Sequence, residues 1–383
     1  MVTIRDVAKA SGFSSSTVSI VLNDAPLARY IPPSTKVRIQ QAAKKLGYRP
    51  NLFARSLRGK RNREVGVMVF DIFDPYCTPI LRGIQNALYD GSYLPILTDA
   101  QNERPRFLRY LEMLLDRRVD GLIILANWLF VDINLLADLE RNGVPTAMIS
   151  RELKSDSISS VILDNEAGGR MAMEHIVSLG HKKIAVFRGP KLLGDSLPRW
   201  RGMKKVAQAA GVTLDEKLVV DLPDSRNPLS SFEAGLHLTE ELLRQRKAFT
   251  ALIAFDDLTA FGAIRALEKN GLRVPTDCSV IGFDDIDQSA LYNPALTTIR
   301  QPMQGMGAAA VSVLLEAITV AQDNRRITAV HQKMMPELIV RDSTRAAREC
   351  GVERSLLSRN NAWDEVSRLS GPPKIPDTSY QKP

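Results

Sequence analysis

The sequence predicts a small all-α helix-turn-helix headpiece joined to an α/β core of two lobes with parallel sheets. Three observations predict it. Residues 1–22 carry two short helical patterns around a Gly-containing turn. From residue 64 onward, short apolar runs alternate with amphipathic stretches, the pattern of strands joined by crossover helices. The net positive charge also lies entirely before residue 64.

The first helix is expected from Thr3, an N-cap residue with Asp6 three positions on to close a capping box. Ile4, Val7, Ala8 and Ala10 give it an apolar stripe. Ser11-Gly12-Phe13 makes the turn, because Gly12 can take a positive φ and Phe13 can plug a small core. Ser14 caps a second helix whose Val18, Val21 and Leu22 fall on one side at i, i+3 and i+4. Its other side presents Ser15, Ser16, Thr17 and Ser19, short hydroxyl side chains able to approach phosphates and base edges. A plain helical hairpin would show the same periodicity.

Charge separates the two readings. Residues 1–63 hold thirteen Lys/Arg against two acids, a net +11, whereas residues 64–383 carry −3. A basic segment that stops so abruptly calls for a polyanion, since neutralised phosphates release counterions.

A third helix is expected after Pro32-Pro33, ending at Gly47, with Val37, Ala42, Ala43 and Leu46 closing the core. Residues 1–47 then form the headpiece, and residues 48–63 a hinge helix and linker. Asn51 can cap a helix of about two turns, too short to persist alone in water. Leu57, between Arg55 and Arg58, has the composition of a minor-groove wedge.

Several pieces carry a resemblance: Thr3-Ile-x-Asp-Val-Ala, Ser16-Thr-Val-Ser19, Leu22-Asn23, Leu46-Gly-Tyr-Arg-Pro-Asn51 and Ala54-Arg-Ser-Leu57. Together they resemble the lactose-repressor (LacI/GalR) family of bacterial transcription regulators. The resemblance implies that Ser15, Ser16 and Ile20 read bases, and that Leu57 opens the central step of a palindromic operator. Thr3, Ser14, Ser15, Ser16, Thr17, Ser19, Ile20, Asn23, Asn51, Arg55 and Leu57 make up the candidate DNA-binding set. Two departures stand out. Many relatives carry Arg where this chain has Ile20, and the connection Asp24–Tyr30 is a few residues longer than expected. Loss of that Arg removes a bidentate grip on guanine and leaves a side chain suited to a thymine methyl.

In the core, strand-like runs fall at Glu64–Phe70, Leu94–Thr98, Gly121–Leu125, Thr146–Ile149, Ser159–Leu163, Lys183–Phe187, Leu218–Val220, Thr250–Phe255, Ser279–Phe283 and Leu296–Ile299. Continuous apolar strands with intervening helices mean parallel sheets covered on both faces; the resemblance implies that they form a two-lobe, periplasmic-binding-protein-like core. The expected lobes are 64–163 with 294–328, and 164–293 with 329–344; the resemblance places the return crossing at Asn293–Pro302. Residues 345–383 are expected to be a disordered tail.

Open sheets of this kind bind ligands at the carboxyl ends of strands. Asp71, Phe73 and Tyr76 follow the first strand, Asp164 ends another, Arg199 opens a helix, and Asp256 and Asp284 each end an apolar run. Converging carboxylates, one Arg and some rings suit a polyhydroxylated ligand. Taken singly, an Asp at a strand end is equally a helix cap. The resemblance implies that Arg199 and Asp284 hold effector, with Asp164 and Asp256 matching less firmly and Phe73 and Tyr76 aligning with the first pocket loop. The effector it implies is a sugar or sugar derivative, with a nucleobase second.

Catalysis is disfavoured. Gly305-Met-Gly-Ala-Ala-Ala310 satisfies a loose dinucleotide fingerprint but begins inside a helical pattern, so its glycines read as close-packing positions. His175 and His181 lack a third ligand nearby, and no Ser or Cys has a nucleophile context. No cofactor and no metal are expected. A secreted binding protein would share the core pattern, but residues 1–25 contain no apolar signal segment, no run suggests a membrane span, and the 3 Cys are widely spaced. The expectation is a cytoplasmic protein whose partners are a double-stranded DNA operator, a small effector and a second copy of itself. The resemblance implies tetramers only where a C-terminal leucine heptad is present; this tail has none, so a homodimer is expected.

Overall fold

The structure, a computed structural model, describes residues 2–23, 25–48, 62–125, 139–151, 155–191, 193–223 and 230–347. Asn51, Arg55, Leu57 and most of the expected hinge and tail lie outside the described residues. The chain divides into two units, residues 1–63 and 64–383.

In the first unit, α1 (Ile4–Ser11) follows the capping box: the Asp6 amide donates to Thr3 Oγ1 and the Thr3 amide to Asp6 Oδ2. Gly12 takes φ 75° at the turn, and α2 (Ser15–Leu22) starts from Ser14, whose Oγ accepts the Thr17 amide. The Asp24–Tyr30 connection contains a 3-10 turn at Pro26–Tyr30 that buries Ala28. Pro33 then opens α3 (Pro33–Leu46), and Gly47 closes it at φ 64°. The core of this unit is Val7, Ala8, Val18, Val21, Ile39 and Ala43. Ile39, wholly buried, corrects the expected phase of α3: Val37 and Leu46 are exposed, as is Ala10 on α1. Packing of α1 and α2 against α3 selects the Ile39–Ala43 face, one i, i+4 step that sequence periodicity alone did not single out.

The second unit holds two six-stranded sheets. The first has the order β11-β5-β4-β3-β1-β2, from β1 (Glu64–Val69), β2 (Leu94–Asp99), β3 (Gly121–Leu125), β4 (Thr146–Ile149), β5 (Ser159–Leu163) and β11 (His331–Met334). All its pairings are parallel, with Val65 opposite both Pro95 and Gly121. The second has the order β12-β10-β9-β8-β6-β7, from β6 (Ile184–Arg188), β7 (Val219–Asp221), β8 (Ala251–Ile253), β9 (Ser279–Asp284), β10 (Thr297–Arg300) and β12 (Glu337–Ile339). Here only β12 runs antiparallel, on β10. Helices α4 (Cys77–Asp90) and α5 (Arg104–Asp116) serve the first sheet. Helices α6 (Asn165–Ser178), α7 (Ser196–Ala209), α8 (Ser230–Arg244) and α9 (Asp257–Lys269) follow between the strands of the second, and α10 (Gln288–Leu291) is a single turn after β9. Helix α11 (Met303–Gln322) packs back on α4 and on β3, β4 and β5.

The sheets divide the chain differently from the expected lobes. Residues 294–300, expected with the first lobe, lead into β10 of the second sheet; residues 331–334, expected with the second lobe, form β11 of the first. The chain therefore crosses between sheets after Leu163, after Arg300 and between Met334 and Glu337. Gly307 packs tightly as expected, since a Cβ there would overlap the Ile80 carbonyl, but Gly305 does not: its Cβ would make ordinary contacts with the Met334 methyl at 3.5 Å and Pro302 Cβ at 3.8 Å. Helix α11 is the one described helix long and apolar enough to cross a membrane, and half of its most apolar window is buried in this core.

Candidate effector cavity and DNA-reading helix

A cavity of about 450 Å³ opens at the carboxyl ends of strands from both sheets, within the size range of small-molecule sites. From the first sheet it is lined by Asp74, Tyr76 and Ser150, and from the second by Asp195, Arg199, Phe255, Asp256 and Asp284. Asp164, Asn165 and Gln301, which lie at two of the crossings, complete it.

Arg199 organises the floor. It is 4% exposed, lying on α7 where Gly169 of α6 lets the two helices approach until a Cβ would overlap the Arg199 carbonyl. Its Nε donates to Asn165 Oδ1 at 2.8 Å and its Nη1 to the Phe255 carbonyl at 2.8 Å. The guanidinium carbon stands 3.5 Å from the Phe283 ring centroid and 4.5 Å from that of Phe255. Two rings and two acceptors fix the plane of the fork, so its remaining nitrogen points with little rotational freedom. That nitrogen, Nη2, is 4.0 Å from Asp195.

Four carboxylates are anchored around it, and two of them also face a cation: Asp195 faces Arg199, and Asp164 Oδ2 lies 4.0 Å from Lys333 Nζ. Asp164 caps α6 through the Ala167 amide at 2.9 Å, and Asp256 caps α9 through Thr259 at 2.7 Å. Asp195 accepts from Asn165 Nδ2 at 2.9 Å, and Asp284 from Gln301 Nε2 at 2.6 Å. Asp284 sits at φ 118° and Asp285 at φ 60°, a backbone that L residues rarely adopt. Burial pushes the Asp284 carboxyl well up, partly opposed by the Arg199 charge; burial likewise raises Asp195. On the first sheet, burial pushes Asp74 up to about 7, against the pull of its hydrogen bond from the Tyr76 amide. The Tyr76 hydroxyl pairs with Ser150 Oγ at 2.6 Å.

Of the expected effector residues, Tyr76, Asp164, Arg199, Asp256 and Asp284 line this cavity. Asp71 and Phe73 do not. Asp71 is buried beside it, accepting from Asn102 Nδ2 and the Phe73 amide, where it shapes the loop. Phe73 is 80% exposed, turned outward by that same turn. Asp74, Asp195, Asn165, Phe255 and Gln301 were not anticipated. Phe255 could have been found as the residue just before a capping Asp. His175 and His181 serve the fold, meeting Thr344 and, for His181, Thr250 and Ser279. Among the described residues no group of His, Cys, Asp or Glu is arranged to hold a metal ion.

On the headpiece, Ser15 and Ser16 are exposed and Ile20 half-buried. Thr3 and Ser14 are caps, Thr17 Oγ1 pairs with Ser14 Oγ at 2.8 Å, and Asn23 Nδ2 donates back to the Ser19 carbonyl at 2.8 Å.

Comparison with known proteins fits both parts. Residues 3–51 match the model for bacterial regulatory proteins of the lacI family, and residues 173–344 that for the periplasmic binding protein-like domain. The HTH-type transcriptional repressor PurR of Aliivibrio salmonicida is 33% identical over 348 residues, covering 90% of this chain and 99% of its own length. The chain belongs to the LacI family. PurR of Haemophilus influenzae strain PittEE is 34% identical over 351 residues, again spanning 90% of this chain and 99% of the relative. Among solved structures, the Lac repressor dimer bound to operator and the anti-inducer ONPF superposes with a TM-score of 0.76 at 27% identity, covering 90% of this chain and 99% of that one. The CelR–cellobiose complex matches at 0.65 and 28%, covering 90% and 100%. As a LacI-family member the chain is a DNA-binding transcription regulator with an effector-binding core, and not an enzyme.

Proposed function

We propose that this protein is a repressor that binds a pseudo-palindromic operator as a homodimer, and that a small polyhydroxylated effector, a sugar or sugar derivative, sets its operator affinity. The observation that carries the effector reading is the cavity itself. Five aspartates and one clamped arginine converge on it from two sheets, and Asp74, Asp256 and Asp284 are each tied through one oxygen, leaving the other for a ligand hydroxyl. A nucleobase is the second reading, favoured by the PurR relatives. The side chains weigh toward a polyol, because Phe255, a ring that lines the cavity, is already engaged by Arg199.

Each six-stranded sheet and its helices act as one lobe, joined by three crossings. A ligand gripped by Asp74 on one side and by Arg199 and Asp284 on the other favours one lobe angle. Effector then shifts operator affinity to the extent that its grip differs between the two angles. Self-association is supported by the edge strand β2, where Leu94 and Leu97 face outward near the exposed Tyr89. Ser15, Ser16 and Ile20 read the operator, while Asn51, Arg55 and Leu57 engage its centre.

Selection of binders from a random duplex pool with the full-length chain tests this reading. It is run without ligand and with a mixture of D-ribose, cellobiose and hypoxanthine. An enriched inverted repeat whose affinity responds to one of these compounds is expected. No enriched duplex under either condition would sink the operator reading.

A further inference from the structure

The second helix of the headpiece contains no charged side chain, although the headpiece as a whole is strongly basic. The headpiece cations stand elsewhere: Arg5 and Lys9 on α1, Arg29 in the Pro26–Tyr30 turn, and Lys36, Arg38, Lys44 and Lys45 on α3. Arg38 is in addition drawn over the Phe13 ring, 5.4 Å from its centroid. The polar groups of α2 are partly consumed within the helix: Ser14 with Thr17, and Asn23 with Ser19. Exposed hydroxyls remain at Ser15 and Ser16. One turn beyond Ser16, on the same face, stands Ile20. Ile20 belongs neither to the headpiece core nor to the partly buried side chains packed against it, which include its neighbour Leu22.

Ile20 is half-buried and outside the core cluster, so its exposed part stands on the reading face open to an apolar partner. In the major groove the apolar group that distinguishes a base pair is the 5-methyl of thymine; guanine offers two acceptors, best met by Arg or Lys. We infer that this regulator reads its half-site through hydroxyl and methyl contacts alone, with Ile20 packed on a thymine 5-methyl. The inference rests on the operator reading above. Attraction to phosphates comes from α1 and α3, so affinity and discrimination are carried by different helices.

The test uses the duplex enriched from the random pool and the full-length protein, with binding read by fluorescence polarisation at fixed salt. Each thymine is replaced in turn by deoxyuridine, which removes only the methyl. One position per half-site should lose about four-fold, the value of one buried methyl-sized group. Ile20→Ala should bind the thymine and deoxyuridine duplexes equally, Ile20→Val should keep part of the preference, and the salt slope should be unchanged in both. A circular dichroism melt establishes that the variants fold. Indifference of the wild-type protein to every deoxyuridine overturns the inference, as does a thymine preference that survives in Ile20→Ala. Failure to enrich any duplex is a separate result and removes the operator reading beneath it.

Discussion

The buried carboxylate of Asp257 accepts the Thr298 hydroxyl at 2.6 Å, joining the start of α9 to strand β10. Its other oxygen accepts from Ser289 Oγ at 2.7 Å and from the Ile286 amide at 3.0 Å. Three segments are thereby fastened around the loop that carries Asp284 at its unusual φ of 118°. On the far side, Asp285 is held by Arg300 and Arg341, each at 2.7 Å.

Asp257→Asn tests this fastening through pH. Burial pushes the Asp257 carboxyl up to about 7, against about 3.9 in an unfolded chain. The fold therefore prefers the neutral acid: the contribution is full below about pH 4 and is lost as pH rises through 7. Asn cannot ionise but replaces one acceptor with a donor, a loss of about 1–2 kcal/mol where Asp257 is still neutral. Urea unfolding should show a larger destabilisation by Asp257→Asn at pH 5 than at pH 8. An equal difference at both values would place the titration elsewhere.

Arg199→Lys keeps the charge but cannot hold Asn165 and the Phe255 carbonyl in one planar fork, nor lie between two rings. The effector-induced change in operator affinity should drop about ten-fold or more, within the usual range of such couplings. Operator binding without effector should stay near the wild-type value. Paired titrations of labelled operator, with and without effector, separate the two; a normal response would remove Arg199 from the site.

Gly169→Ala should act on the same residue from behind. The added methyl overlaps the Arg199 carbonyl, so α6 and α7 must part, at a cost of about 1–3 kcal/mol. Gly305→Ala is the contrast: its methyl makes only ordinary contacts, with Met334 at 3.5 Å and Pro302 at 3.8 Å, and stability should hold or rise slightly. Thermal unfolding of both variants decides it, and equal losses would show the close helix approach to be unimportant.

Ser14 and Ser15 are neighbours with different work. Ser14→Ala removes the cap of α2 and should lower headpiece stability by about 1 kcal/mol. Ser15→Ala should leave the melt unchanged and weaken operator binding. If both alter the melt alike, Ser15 has a structural duty not visible in its exposure.

Much of this was legible in the sequence because the signals were local. Thr3, Asp6, Gly12, Ser14 and Gly47 each announce a cap or stop, and each occupies one. The ten apolar runs became β1 to β10 with ends moved by a residue or two. The edge strand β11 escapes the sequence reading because His331-Gln-Lys is polar and exposed, and β12 because its apolar stretch, Leu338-Ile339-Val340, is only three residues long. In the cavity, strand-end Asp164, Asp256 and Asp284 could be read from position. Asp74 could not be told from Asp71, three residues away, because only the packed turn decides which of the two faces the ligand space.

The interleaving of the two sheets constrains how the protein can be synthesised. Strand β5 acquires its outer neighbour only when His331–Met334 arrives, and β10 only with Glu337–Ile339. A nascent chain stalled or cleaved just before residue 331 would display two unpaired strand edges at once, both open to adhesion with other chains. Neither lobe can be excised as one continuous stretch, so early termination late in the gene is expected to yield aggregate rather than a half-sized sensor.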